Sequence, residues 1–160
     1  MFALTKKTDY AIIALSHMAK RAGEVTTARE IACHFNVPLA LLMNVLKVMT
    51  QAELVRSVRG AKGGYMLAQT PEQITLSDII TAVEGPIRLV HCAAGRDAPP
   101  EGCGLAPNCP VTEPVNKVHD KLHDFLRNVT LAQIAFDEEY GSAHRECLHV
   151  AMMTDSERTR

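Results

Sequence analysis

The stretch TTAREIACHFNVPLALLMNVLKVM, residues 26–49, decides the fold. Thr27, with Glu30 three residues later, has the form of a capping box that opens a helix over AREIACHF. Asn36 suits a turn at the end of that helix. Pro38 can open the next one, because its missing N–H falls among first-turn donors that have no helical partner. Leu42, Val45, Leu46 and Met49 then recur in steps of three and four, one apolar stripe along a helix over LALLMNVLKVMTQAE. A short and a longer helix joined by a tight turn have helix-turn-helix spacing.

On the N-terminal side, Ala11, Ala14, Leu15, Met18, Ala19 and Ala22 form one stripe over Thr8 to Ala22, and Gly23 stands where a helix would stop. On the C-terminal side, LVRSVRGAKGGYMLA places two strand-like runs around Gly60-Ala61-Lys62-Gly63-Gly64, a hairpin tip. A helix-turn-helix followed by a hairpin predicts a winged helix. Beyond Pro71, TLSDIITAVEG reads as another helix, with Thr75 or Ser77 near its start and Gly85 past its end.

Residues 85–114 hold six of the chain's eight prolines, which excludes a long helix or central strand there. Val115, Val118, Leu122, Phe125, Val129 and Ala132 then alternate in steps of three and four, a heptad seam that wants a partner. A small winged helix has little surface left to cover it, so the seam predicts homodimerisation. Thr130 with Gln133 can restart the helix towards Tyr140.

The expected architecture is mainly α: a winged helix-turn-helix with a small β-hairpin wing plus a long C-terminal dimerisation helix. Its predicted divisions are a DNA-binding domain over 1–84, a cysteine-rich loop over 85–110, the dimerisation helix and a following helix over 111–140, and a polar tail over 141–160.

Residues 1–70 carry nine Lys/Arg against four Asp/Glu, whereas residues 71–160 carry eight against fourteen. A basic half joined to an acidic half suits a polyanion-binding module coupled to something else. No stretch approaches the ~20 apolar residues of a membrane span, and the charged start MFALTKKTDYAI lacks a signal-peptide run. The expectation is a cytoplasmic protein without membrane contact or small-molecule substrate. No nucleophile elbow, phosphate loop or paired-carboxylate arrangement points to an enzyme.

With Leu42, Val45, Leu46 and Met49 buried, the longer helix turns Ala40, Met43, Asn44 and Lys47 outward. Asn44 can pair with an adenine edge, Lys47 can meet phosphate or guanine, and Ala40 allows close approach or touches a thymine methyl. Arg56, Arg59 and Lys62 cluster around the glycine tip, where Arg59 can enter a narrow minor groove. Thr27 and Arg29, at the opening of the first motif helix, complete the candidate DNA-binding set. The expected partner is double-stranded DNA, with a palindromic promoter site matching the homodimer.

Three of five cysteines, Cys92, Cys103 and Cys109, share the proline-rich loop. In a reducing compartment they favour metal binding or redox sensing over structural disulfides. An iron-sulfur cluster, zinc with a fourth His or Asp ligand, and a regulatory disulfide are all compatible with the spacing. Cys33 reads as a small buried hydrophobe, and Cys147 is left unassigned.

TKKTDYAIIALSHMA, LVRSVRGAKGGYMLA, ITLSDIITAVEGPI and the cysteine loop before a long helix, spanning residues 1 to about 135 in order, resemble the winged-helix regulators typified by IscR, NsrR and RirA. Within that family the chain looks most like the regulators of the SUF iron-sulfur assembly system. The resemblance implies a dimeric transcription regulator whose cluster, 2Fe-2S or 4Fe-4S, controls promoter binding in response to iron-sulfur status or to oxidative or nitrosative stress.

It also implies that Cys92, Cys103 and Cys109 are ligands, that Arg59 enters the minor groove, and that Ala40 and Met43 face bases. Asp9 is the leading fourth ligand, supplied across the dimer as in NsrR-like members, with His91, His119 and Glu113 as alternatives. Two features depart from the family. Ten residues separate Cys92 from Cys103, a longer gap than usual, and Thr112 stands where IscR has a histidine. A metal-free thiol-disulfide regulator, or a zinc- or cluster-binding interaction or electron-carrying protein, are the alternative readings.

Overall fold

The computed structural model describes residues 4–89 and 109–136. Helix α1 runs Lys6–Lys20, α2 Ala28–Phe35 and α3 Leu39–Gln51; strands β1 (Val55–Val58) and β2 (Gly64–Leu67) follow, then α4 (Leu76–Glu84), α5 (Thr112–Asn128) and α6 (Leu131–Phe136). This is the mainly helical, winged architecture expected from the sequence.

The helix ends follow from local chemistry. The Thr27 hydroxyl accepts the Glu30 N–H, and Asn36 takes the left-handed conformation that closes α2. Pro38 is the N-cap of α3 rather than its first helical residue, because its ψ of 119° is extended. Thr75 and Asp78 form a complete capping box at the start of α4. Thr130 and Gln133 do the same before α6: the Thr130 N–H donates to Gln133 Oε1 at 2.9 Å, and the Gln133 N–H returns to the Thr130 hydroxyl at 3.3 Å. Helix α1 begins two residues before Thr8, since its exposed first turn of Lys6 and Lys7 adds nothing to the apolar stripe.

Leu15 and Met18 of α1, Ile31 of α2, Leu42, Leu46 and Met49 of α3, Val55 of β1 and Ile79 of α4 form one core. Truncating any of the large ones to Ala costs about 2–5 kcal/mol. Cys33 is exposed on α2, contrary to its expected burial, because Ile31 and Ala32 take the inward positions of this short helix.

The hairpin pairs Val55 with Leu67 and Val58 with Gly64, antiparallel. Strand β2 is tied, near the turn end of the hairpin, to the residue before the helix-turn-helix: Thr26 and Tyr65 exchange both backbone hydrogen bonds, at 2.9 and 2.8 Å. Gly64 permits that approach, since a Cβ there would meet the Thr26 carbonyl oxygen at 2.6 Å.

The C-terminal helices return to this body. The Leu76 N–H donates to the Val129 carbonyl at 2.8 Å, and the Leu131 N–H donates to the Ile74 carbonyl at 2.8 Å. Leu131 and Ala135 of α6 thereby enter the same core as α1. The heptad seam therefore does not run as one helix to Ala132; it breaks at Val129, which caps α5 in extended conformation.

Candidate nucleic-acid interface and cysteine site

Helix α3 lays Leu42, Val45, Leu46 and Met49 on the core. The opposite stripe of Ala40, Met43, Asn44 and Lys47 is exposed throughout, as the sequence predicts. Thr27 and Arg29, at the start of α2, are also exposed, so the candidate contacts of both helices are open to solvent.

In the wing, Arg56 projects from β1 opposite Met66, while Arg59 and Lys62 occupy the tip; all three are exposed. Gly60 has a φ of +120°, open to glycine and disfavoured for other residues, and a Cβ there would meet nothing. The tip thus has the free space that close approach to a nucleic-acid backbone requires. No acidic side chain lies between Val55 and Leu67 to oppose these cations.

A polar cluster joins α1 to α2. His17 is buried, with Nε2 3.9 Å from Glu30 Oε1, and Arg21 pairs with the same carboxylate. Its ring lies 5.4 Å from those of both His34 and Phe35. Burial, then Arg21 and His34, push the His17 pKa down, partly opposed by Glu30. This cluster escaped the sequence reading because its members are contributed by two helices whose docking no periodicity reveals.

Of the cysteine site, Cys109 lies among the described residues, half-buried immediately before α5; Cys92, Cys103, His91 and Cys147 lie outside them. The Thr112 hydroxyl, followed by the Val111 N–H, holds the Cys109 thiol below its ordinary pKa. Thr112 Oγ1 is buried beside the thiol without a partner that meets hydrogen-bond geometry among the described residues, while the Thr112 N–H donates to the Cys109 carbonyl at 3.3 Å. A thiol held toward thiolate is the form that ligates soft metals.

Asp9 stands exposed in the first turn of α1 and enters no ion pair among the described residues. Glu113 pairs with Lys117 at 2.7 Å. His119 is buried in α5 with Nδ1 unpartnered among the described residues. The described residues contain no group of three His, Cys, Asp or Glu side chains placed to hold a metal.

The dimerisation candidates divide by exposure. Val118 and Phe125 are 55% and 62% exposed, Val115, Leu122 and Val129 are half-buried, and His119 and Leu126 face the protein's own body. None of the described helices is long and apolar enough to cross a membrane.

Comparison with known proteins agrees with this architecture. Residues 4–137 match the Rrf2 family, described as an iron-dependent transcriptional regulator. The chain is 31% identical over 137 residues to the transcriptional regulator IscR of Sodalis glossinidius, covering 85% of this chain and 80% of the relative. It is 29% identical over 138 residues to NsrR of Bacillus licheniformis, covering 86% and 94%. The structure of CymR, the global cysteine regulator of B. subtilis, superposes with a TM-score of 0.66 at 30% identity, covering 84% of this chain and 97% of that one. These relatives are named as regulators, not as enzymes. With the helix-turn-helix, the wing and a match spanning both, the chain belongs to the Rrf2 family of transcriptional regulators.

Proposed function

We propose that the chain is a homodimeric, DNA-binding transcription regulator whose promoter binding is governed by an iron-sulfur cluster, 2Fe-2S or 4Fe-4S, held by Cys92, Cys103, Cys109 and Asp9. The observation that carries the reading is the place of Cys109, a free, half-buried thiol three residues before the helix that bears the exposed apolar stripe. The donor set fits the group. Thiolates suit iron in both oxidation states, and a single carboxylate in place of a fourth cysteine leaves a labile, reactive position. When bound, the cluster supplies a centre that oxidants and nitric oxide can attack.

The protein's own residues supply the rest. Thr112, beside Cys109, lowers the thiol's pKa and so favours the ligating form. Val118 and Phe125 pair two copies of α5, which sets the spacing of two helix-turn-helix heads on a palindromic site. Asp9, one residue beyond the core position Thr8, links any change at the cluster to α1 and thereby to the head. The expected targets are genes of iron-sulfur assembly or stress response.

Anaerobic purification with iron, sulfide and zinc counts per chain, followed by DNA gel shifts of the loaded and stripped protein, tests this. Iron and sulfide in stoichiometric amount, with DNA affinity that changes on stripping, are expected. Stoichiometric zinc without sulfide would sink the cluster. The likeness to a global cysteine regulator favours one rival, a disulfide switch on the same cysteines. DNA binding that responds to diamide but not to iron removal would select it.

A further inference from the structure

The first two turns of α3 carry an unusual surface for a helix that reads DNA. Leu39, Leu41 and Met43 are 39%, 43% and 45% exposed, and Ala40 between them is also exposed. A helical wheel centres Ala40, Met43, Asn44 and Lys47 on the outward face, with Leu39 and Leu41 on its two rims. No Arg, Gln, Glu or Asp occurs in the first two turns, so the bidentate readout of guanine by arginine is not available from them.

The surroundings identify the occupant. The elements before and after α3 carry exposed cations, Arg29 on α2 and Arg56, Arg59 and Lys62 on the wing, and α3 itself contains no acidic residue. An apolar strip with cations on the neighbouring elements suits a surface that is anionic at its edges and apolar at its centre. The major groove of DNA meets that description in one circumstance: its only apolar group is the C5-methyl of thymine.

We infer that Met43, seated beside Ala40, reads a thymine by contact with its C5-methyl, next to an adenine paired by Asn44. This deepens the DNA-binding reading above and rests on it. Ala40 leaves room for the groove floor to approach, and the flexible thioether of Met43 can follow a methyl whose position varies with local DNA shape. Asn44 lies one position on, so its amide can meet the N6 and N7 of the neighbouring adenine. Specificity for a thymine-adenine step then comes from one apolar and one polar contact.

The test begins with selection of duplexes from a random-centre library by the full chain, purified anaerobically. The selected site is remade with single thymines replaced by deoxyuridine, which removes the methyl and keeps the pairing. One thymine in each half-site is expected to weaken binding about fourfold when replaced, the worth of one buried methyl. Met43→Ala should bind the thymine and uracil sites equally, because the pair is coupled.

Undiminished binding of every uracil-substituted site would overturn the inference while leaving DNA binding intact. A Met43→Ala protein that still discriminates the methyl would overturn the assignment to Met43. If the chain retained no duplex from the library, in either loaded or stripped form, the DNA-binding reading itself would fall, and this inference with it.

Discussion

The Thr8 hydroxyl donates to Oε1 of Glu84 at 2.6 Å, across 76 residues of sequence. Thr5 donates its N–H to the same oxygen at 3.0 Å and its hydroxyl as well. Glu84 is the last residue of α4, directly before Gly85, from which the chain leaves towards the cysteines; Thr8 directly precedes Asp9. One carboxylate therefore ties the root of the cysteine segment to the helical turn that carries the proposed fourth ligand.

Glu84→Ala should cost about 1 kcal/mol, because the Thr8 side chain is buried and loses a charged acceptor while Glu84 itself stays exposed. The Thr5 and Thr8 hydrogen bonds lower the Glu84 pKa. A carboxyl lowered on folding stabilises above its ordinary range and loses that contribution as pH falls through the folded value. Urea midpoints of the wild type and Glu84→Ala should thus differ at neutral pH and draw together only as the pH is taken below the ordinary carboxylate range.

His17 gives a second pH dependence at higher pH. Burial, Arg21 and His34 lower its pKa from 6.5, so the unfolded chain takes up the proton first as pH falls. Stability is full above that value and declines below it. Urea denaturation between pH 7.5 and 5.5 should show the loss in the wild type and a flatter profile in His17→Gln.

Arg59→Ala should weaken binding to the selected duplex and reduce the slope of log affinity against log salt by about 1, as expected for one phosphate-side cation. Fluorescence anisotropy over a salt series measures it; an unchanged slope would remove Arg59 from the interface.

Phe125→Asp should yield a monomer with an unaltered helical spectrum, since the ring is 62% exposed and contributes little to the body of one chain. Sedimentation velocity and far-UV circular dichroism distinguish this from misfolding. Leu126→Ala, one residue on but buried, should instead lower the unfolding midpoint.

Cys109→Ser should abolish iron and sulfide binding, and Thr112→Val should leave the fold intact while weakening cluster retention by about tenfold, the lower range for loss of a polar group beside a ligand. Chelator-challenge kinetics followed at visible wavelengths read both.

Much of the fold is legible in short stretches. AREIACHF is helix α2 to the residue, since Thr27 and Asn36 satisfy its ends with side chain and backbone within a few positions. The same holds for Thr75 before α4 and for the glycine-rich wing tip. Pattern also picks out the outward stripe of α3, because burial of Leu42, Val45, Leu46 and Met49 leaves it no other orientation. Where reading fell short, the deciding partner was distant. Cys33 reads as buried by type, yet faces solvent because Ile31 and Ala32 occupy the inward side.

Helical period, end caps and turn residues act over three to five positions, so the sequence by itself determined the order of the elements, the wing and the family to which the chain belongs. The tertiary structure alone decided which stripe of α5 meets solvent, the turn of α6 back onto α1, the His17 cluster and the bond from Glu84 to Thr8. Those depend on burial and hydrogen bonding between segments far apart in the chain, terms that take their value only once the core has brought the segments together.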